Sequence, residues 1–211
     1  MPESSRSNED TEARILRAAK HVFLRKGVAG SRMQEVAAEA GVNRALLNYY
    51  FRSKKKLAEA VFIRVATSFG PTLMAALGSD KPLREKLEEV IDLQISLLLE
   101  NPYLLGYMIA EFQYRPDELR PVVQRALPPA KIRETVLNKL QSQLDDASER
   151  GELKPTRSSD FVVALMSQMN YPFAAGPLLD AILGIDADAR DEMMRRRAKD
   201  LPDKILAMFS V

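Results

Sequence analysis

Apolar side chains recur at helical spacing along most of the chain, and no segment has the two-residue alternation of a half-buried strand. The first apolar face contains Ile15, Val22 and Phe23, and its helix is predicted to end at Gly27, since glycine favours the position after a helix. Further periodic segments follow, giving about nine or ten helices in all. The pattern therefore predicts an all-α protein.

Two short predicted helices are joined at Gly41. Ser31 and Gln34 have the spacing of a capping box at the start of the first, and Asn43 is expected to cap the second. The second helix is rich in polar and aromatic groups, and a basic run at residues 52–56 follows it. This arrangement indicates a helix-turn-helix, which places its second helix in the major groove of DNA.

The rest of the chain predicts longer helices. They cover about residues 54–69, 83–98, 103–113, 132–150, 161–171 and 188–209, with prolines interrupting the chain after residues 69 and 113 and at residue 202. We expect a disordered arm at residues 1–10 and a helix-turn-helix DNA-binding domain of three helices at residues 11–57. A larger helical ligand-binding and dimerisation domain is expected at residues 58–211.

Charge is unevenly distributed along the sequence. Of the 31 basic and 29 acidic side chains, 13 and 7 lie in residues 1–64, so this head has a net charge of +6 and the remainder −4. A basic head on a mildly acidic body suggests that the head binds a polyanion and the body does not. The alternative is ordinary variation in surface charge.

Composition excludes several kinds of site. The chain has no cysteine and a single histidine, His21, so neither disulfides nor a zinc site of nitrogen and sulfur ligands is predicted. No phosphate-binding glycine loop or catalytic set is recognisable, so we expect no enzyme, metal or cofactor. The N-terminus lacks the apolar segment of a secretory signal, and the nearly uncharged stretch at residues 161–179 contains polar groups and prolines. These features favour a cytoplasmic protein without a membrane segment.

The predicted second helix of the motif has an inward and an outward side. Val42, Leu47 and Phe51 are expected to share a core with Phe23 and Val36. The outward side presents Arg44, Ala45, Leu46, Asn48 and Tyr49. Arginine can donate to guanine or phosphate, asparagine can pair with adenine, and alanine or leucine can contact a thymine methyl group.

Neighbouring groups are candidates for phosphate contacts. Tyr49 and Tyr50 can donate their hydroxyls, and Lys54 stands with two more lysines at a predicted helix start, whose free N–H groups also bind anions. Each has a structural alternative. Leu46 and the tyrosines could be packing residues, and the lysines could form a solvated face.

Several motifs occur in a fixed order within residues 11–60: Ile15-Leu-Arg-Ala-Ala, Phe23, Lys26-Gly27, Met33-x-x-Val-Ala, Ala40-Gly41-Val42, Leu47, Tyr50-Phe51-x-Ser53-Lys54 and Leu57. Together they resemble the N-terminal domain of the tetracycline-repressor (TetR) family of bacterial regulators. The resemblance implies a homodimeric repressor with an all-α regulatory domain. It also implies that the helices near residues 161–171 and 188–209 pair with those of a second copy.

The same resemblance implies which residues contact DNA. The matching positions are Arg44, Ala45, Leu46, Asn48, Tyr49, Tyr50 and Lys54, with additional contacts from Arg32 and Gln34. The chain departs from the family pattern at Leu46, where a small residue is usual, and at Asn48, where tyrosine is frequent. The operator sequence therefore does not follow from the family.

Aromatic and methionine side chains in the C-terminal part are candidates for an effector pocket. They are Tyr103, Tyr107, Met108, Phe112, Met166, Met169, Tyr171 and Phe173. Such adaptable apolar groups with a few hydroxyls suit a small apolar or aromatic ligand. The alternative for each is a place in the core or in a dimer interface.

These expectations describe a homodimeric repressor that binds a palindromic double-stranded operator and is released by an unknown small-molecule effector. One alternative is an activator, or a regulator controlled by a partner protein instead of a small molecule. Another is a helical adaptor whose basic head binds a different polyanion.

Overall fold

The computed structural model describes the backbone of residues 3–211 and the side chains of residues 10–211. Within residues 3–211 the chain forms twelve α-helices and one short π-helical segment, and it contains no strand. An isolated antiparallel bridge joins Leu153 to Ser210. The predicted all-α class is confirmed.

The helices are short at the head and longer in the body. The first four are α1 (Glu3–Gly30), α2 (Met33–Glu39), α3 (Arg44–Phe51) and α4 (Lys54–Leu77). The next are α5 (Leu83–Glu100), α6 (Leu104–Tyr114), α7 (Pro116–Ala126) and α8 (Pro129–Ile132). The π-helical segment (Arg133–Leu137) leads into α9 (Asn138–Glu149), followed by α10 (Ser158–Ala174), α11 (Gly176–Leu183) and α12 (Ala187–Phe209).

Helix α1 begins earlier than the sequence suggests. The predicted disordered arm covers residues 1–10, but the backbone is helical from Glu3, while Met1 and Pro2 lie outside the described residues. No glycine or proline interrupts the segment that follows, and acidic groups in a first turn interact favourably with the helix dipole. Gly27, where the helix was expected to end, has a non-helical φ of 68°.

Prolines do not end the helices where the sequence predicts. Helix α4 continues through Pro71, and α7 and α12 contain Pro121 and Pro202. A proline removes one backbone hydrogen bond, which packing of the surrounding helix can offset; Pro202, for example, is buried. Helix α11 has no counterpart in the prediction, because only Ala175 separates it from α10.

The chain divides into two compact units. One contains the chain up to Ser68 together with Tyr107–Ala126, and the other contains Phe69–Gly106 and Leu127–Val211. The predicted functional boundary after residue 57 stays a prediction.

In the first unit, α1 packs against α2, and α2 packs against α3. Four of the five predicted core residues, Phe23, Val36, Leu47 and Phe51, are buried, and Val42 is half-buried. Two exposed contacts between polar side chains also join α1 to α2. His21 contacts Glu39 at 2.6 Å, and Lys26 contacts Glu35 at 2.6 Å.

In the second unit, α12 packs along α5, and α10 contacts α5, α9, α11 and α12. Its buried side chains include Leu87, Ile91, Leu98, Leu140, Leu144, Phe161, Leu165, Met194, Leu201 and Ile205. Gln94 on α5 donates to Asn170 on α10 at 2.9 Å. The backbone N–H of Lys154 donates to the carbonyl of Phe209 at 2.7 Å, which fixes the end of α12.

Helix α4 is long and apolar enough to cross a membrane when judged by length and composition alone. Its apolar face includes Leu57, Val61, Phe62 and Val65, all of which are buried within the fold. The helix also begins with three consecutive lysines. Its composition is therefore explained by its place in the core of the fold.

Candidate nucleic-acid interface

The turn between α2 and α3 is set by local interactions. Gly41 has a φ of 61°, the left-handed region that glycine adopts without steric cost. Asn43 caps α3, since its side-chain oxygen accepts from the backbone N–H of Leu46 at 2.8 Å. Both features confirm the predicted helix stop and cap, and they fix which face of α3 points outward.

The predicted capping box of Ser31 and Gln34 is wrong by one residue. Arg32 is the N-cap of α2, and its backbone N–H donates to Glu35 Oε2 at 2.9 Å. The Ser31 hydroxyl instead donates to the carbonyl of Val28 at 2.8 Å. The hydrogen bond from Lys26, followed by that from the Arg32 backbone, holds the pKa of Glu35 below its usual value. A carboxylate held in place by two donors is a better cap than the amide of Gln34.

Helix α3 separates apolar and polar side chains clearly. Leu47 is 0% exposed, and Phe51 is also buried. The exposed residues on the other side are Arg44, Ala45, Leu46, Asn48 and Tyr49. Leu46 is 37% exposed and Tyr49 is 73% exposed, so neither is a core residue.

Aromatic rings support the outer end of α3. Tyr49 and Tyr50 pack edge to face, with ring centroids 5.4 Å apart and an interplanar angle of 88°. Tyr50 is half-buried and also lies against Phe51, with 6.4 Å between ring centroids. The exposed ring of Tyr49 is thus held by a partly buried neighbour, which limits its freedom.

The three lysines at the start of α4 have different partners. The ammonium of Lys54 donates to the carbonyls of Ser31 at 3.0 Å and Ala29 at 3.3 Å. Lys56 pairs with Glu59 in the same helix at 3.4 Å. Lys55 pairs with Glu118 of α7 at 2.6 Å. Lys54 therefore also holds the turn before α2, in addition to its predicted contact with DNA.

Of the nine residues predicted to contact DNA, Arg32 precedes α2, Gln34 lies in α2, Lys54 begins α4, and the other six lie in α3. Seven are exposed, and Tyr50 and Lys54 are half-buried. Arg32 and Gln34, at the start of α2, are among the exposed ones. Their individual contacts with DNA stay predictions.

The eight predicted effector residues divide between the two compact units. Tyr107, Met108 and Phe112 lie in the first unit, and the other five in the second. Tyr107, Met169 and Phe173 are buried, whereas Tyr103, Met166 and Tyr171 are more than 45% exposed. A groove of about 530 Å³ between α5, α9 and α12 contains none of the eight residues in its lining. Their grouping into one pocket stays a prediction.

The sequence patterns did not lead to the prediction of a charged network in the first unit. Glu111 is buried and pairs with Arg115, which also lies 3.8 Å from Glu118. The spacing of these three residues, four and then three positions apart, is typical of charged pairs on one face of a helix. The link from Glu118 to Lys55, 63 residues away, has no local signal in the sequence.

Comparison with known proteins decides the class of this helix-turn-helix. The sequence profile described as "Bacterial regulatory proteins, tetR family" matches residues 15–61. The HTH-type transcriptional repressor SCO4008 of Streptomyces coelicolor is 27% identical over 206 residues, which cover 96% of this chain and 98% of that protein. The HTH-type transcriptional repressor BepR of Brucella suis is 26% identical over 163 residues, covering 76% and 77% of the two chains. The N-terminal domain of the chain belongs to the TetR family.

The fold of the whole chain also has solved counterparts. A TetR-family transcriptional regulator from Mesorhizobium loti superposes with a TM-score of 0.63 at 19% identity, covering 97% of this chain and 98% of the other. At this identity the likeness concerns the fold alone. The matched domain and the two relatives identify the chain as a DNA-binding transcriptional regulator, with its helix-turn-helix at the N-terminal end.

Proposed function

We propose that this TetR-family regulator is a cytoplasmic transcriptional repressor that binds a palindromic DNA operator as a homodimer. The observation that carries the proposal is the exposed polar face of α3, with Arg44 and Asn48 outward and Leu47 buried beneath them. In a homodimer, two such helices fit successive turns of the major groove when about 34–36 Å separates them. The names of the two repressor relatives support repression over activation.

The side chains divide into two groups in this proposal. Arg44 and Asn48 read base edges, and Ala45 and Leu46 contact thymine methyl groups. Groups around them bind the phosphate backbone and fix the register of the helix, namely Arg32, Gln34, Tyr49, Tyr50 and Lys54. Because the Lys54 ammonium already has two carbonyl partners, its substitution would test the fold of the head as well as DNA contact.

The homodimer is proposed to form through α10, with α12 beside it. The segment from Phe161 to Leu179 contains no charged residue, yet Val163, Met166 and Tyr171 are exposed. The exposed side of α12 is mostly charged, with Arg195, Arg196 and Lys199 among its residues. An apolar centre with a polar rim is typical of stable protein interfaces.

Release from the operator is proposed to follow binding of a small apolar or aromatic effector near α6. Tyr107 is buried there and its hydroxyl has no hydrogen-bond partner, so a ligand oxygen or nitrogen could supply one. Met108 and Phe112, both half-buried, give adaptable apolar contacts on the same helix. The effector must bind more tightly to the state in which the two recognition helices no longer match successive grooves.

A mobility-shift titration on the protein's own upstream intergenic DNA tests the proposal. Arg44→Ala and Asn48→Ala should each weaken specific binding by about 1–3 kcal/mol. Arg133→Ala, which removes an exposed cation from the π-helical segment, is the matched control and should bind DNA like the unaltered protein. Equal binding to duplex DNA by all four proteins would refute the DNA-reading role of α3.

The same titration separates the alternatives. An adaptor for another polyanion would bind RNA or heparin as tightly as the upstream duplex. An activator would bind the duplex but raise transcription from the promoter in a reporter assay. A regulator controlled by a partner protein would bind the operator without responding to any small molecule.

A further inference from the structure

One ion pair joins the DNA-binding head to the pair of helices that follows Pro102. Lys55 Nζ, in the first turn of α4, lies 2.6 Å from Glu118 Oε1 in the first turn of α7. Both residues belong to the same compact unit. The pairing hydrogen bond from Lys55 is the main reason that the pKa of Glu118 lies below its usual value.

Glu118 belongs to a row of alternating charges. Arg115 Nη1 is 3.8 Å from Glu118, and another nitrogen of the same guanidinium pairs with Glu111. The side chains of Glu111 and Arg115 are 10% and 19% exposed, so this inner pair is shielded from water. One turn earlier on α6 lies Tyr107, with its buried and unpartnered hydroxyl. The row of charges therefore extends from the buried side of α6 to the exposed start of α4.

Lys55 differs from Lys54 and Lys56 in the kind of partner that its ammonium has in the absence of DNA. Lys54 donates to neutral carbonyls, so its positive charge is not balanced by an acid. Lys56 pairs with Glu59 on its own helix. Among these three lysines, Lys55 alone has a carboxylate partner on another helix.

We propose that Glu118 competes with a DNA phosphate for Lys55 and thereby lowers the operator affinity of the head. This inference rests on the proposed function, in which the start of α4 faces the DNA backbone. Glu118 is a positioning residue, because it acts through Lys55 and need not touch DNA itself. Arg115 and Glu111 hold Glu118 in place, so the position of α6 and α7 sets how readily Lys55 is released.

The direction of control follows from electrostatics. An ammonium has three donors, so Glu118 does not block Lys55; its carboxylate instead cancels the charge of Lys55 and repels a phosphate that approaches the same ammonium. When α7 stands close to α4, Glu118 neutralises Lys55 and the head has one cation fewer for the backbone. When α7 moves away, Lys55 turns to the phosphate and binding tightens. An effector at Tyr107 that pushed α7 towards α4 would thus favour release.

The number of phosphate contacts can be counted from the salt dependence of DNA binding. Each contact adds about 0.9 to the slope of log K against log salt concentration. In full-length Glu118→Gln the slope should become steeper by about 0.9 for each head that gains the Lys55 contact. For one head, the advantage of the variant over the unaltered protein should fall about threefold between 50 and 200 mM salt.

A double-mutant cycle shows whether Lys55 is responsible. Lys55→Gln in the unaltered background should leave the slope unchanged, since Glu118 cancels the charge of Lys55. Lys55→Gln combined with Glu118→Gln should return the slope to its original value. An unchanged slope in Glu118→Gln, or a steeper slope that persists in the double variant, would overturn the inference.

Asp117→Asn is the matched control for removing an acid. Asp117 is the exposed neighbour of Glu118 on α7, and its substitution deletes the same charge without freeing Lys55. Its slope should match that of the unaltered protein; a steepening equal to that of Glu118→Gln would show a general charge effect and refute the competition. Absence of any duplex binding by the unaltered protein would overturn the proposed function and this inference together, whereas binding with an unaltered slope overturns this inference alone.

Discussion

Gly41 and Asn43 determine how α3 is presented to a ligand. The left-handed φ of 61° at Gly41 turns the chain after α2, and the side chain of Asn43 satisfies the N–H of Leu46 at the start of α3. The space around Gly41 would admit a side chain, since nothing lies within 4 Å of an added Cβ. The need for glycine is therefore a matter of backbone conformation alone.

Gly41→Ala should lower the free energy of unfolding by about 1 kcal/mol, the cost of placing an L-residue in the left-handed region. Gly30→Ala is the control, because Gly30 does not have a positive φ and an added Cβ would only meet Lys26 Cβ at 4.0 Å. Urea unfolding of the full-length protein measures both variants. Equal destabilisation by the two would contradict the conformational explanation.

Tyr107 is a second residue whose environment leads to a testable prediction. Burial, and to a smaller degree the charge of Glu111, raises the pKa of its hydroxyl above the usual value. The hydroxyl has no hydrogen-bond partner, and an unsatisfied buried group costs about 1–3 kcal/mol.

Without a ligand, Tyr107→Phe should therefore unfold at the same or a higher temperature than the unaltered protein. Tyr114→Phe removes a hydroxyl from a residue that is 85% exposed and should leave the melting temperature unchanged. Thermal unfolding followed by circular dichroism gives both values. A clear fall in melting temperature for Tyr107→Phe alone would mean that the hydroxyl is satisfied in the folded protein.

Local signals in the sequence predicted the helices of the head better than the contacts between them. Gly41 and Asn43 act on their immediate neighbours, so their roles follow from the sequence itself. The cap of α2 was displaced by one residue because Glu35 is also held by Lys26 of α1, a tertiary contact. The outward set on α3 followed from Leu47 and Phe51 alone, since a single helix needs only its apolar spacing to fix its faces.

Longer-range features could not be predicted in this way. Helix α4 continues past Pro71 and α12 past Pro202, because packing along the helix outweighs the local preference of proline to end it. The pair between Lys55 and Glu118 joins two helices that only the fold brings together. The effector residues were chosen by side-chain type, which does not distinguish the buried Met169 from the exposed Met166.

Among the helices, α10 has the clearest unpartnered surface. Its exposed residues include Val163, Met166 and Tyr171, and the following α11 exposes Leu178 and Ile182. Large apolar side chains clustered on one side of a protein usually mark an interaction surface. The contrast with the charged α12 indicates that α10 contributes the apolar centre of the proposed dimer interface.

Val163→Glu should shift the protein from dimer to monomer, because two carboxylates would be desolvated across a two-fold interface. Val163 is 67% exposed, so the fold of a single chain should tolerate the change. Ile109→Glu places the same charge at an exposed apolar site on α6, 41% exposed, and should leave the dimer intact. Sedimentation velocity at several concentrations distinguishes the two; a dimeric Val163→Glu protein would exclude α10 from the interface.

For the whole molecule, the uneven charge and the proposed dimer together predict that the spacing of the two half-sites affects binding. The basic head attracts any duplex, whereas the acidic body is repelled by it. In the proposed dimer, specific binding depends on two heads engaging at once. The distance between half-sites should therefore matter as much as their sequence.

The effect of the distance between half-sites can be tested on operators with altered spacing. Inserting about 5 base pairs between the half-sites rotates one of them to the opposite face of the duplex. The dimer should then bind no better than it binds a single half-site. Inserting about 10 base pairs restores the face but separates the sites by a further turn, so binding should recover only as far as the dimer can spread.

Mobility shift with the unaltered protein and Val163→Glu completes the test: the monomeric variant should be insensitive to both insertions. Equal sensitivity of the two proteins would mean that spacing is read within one chain, and it would refute the two-headed arrangement.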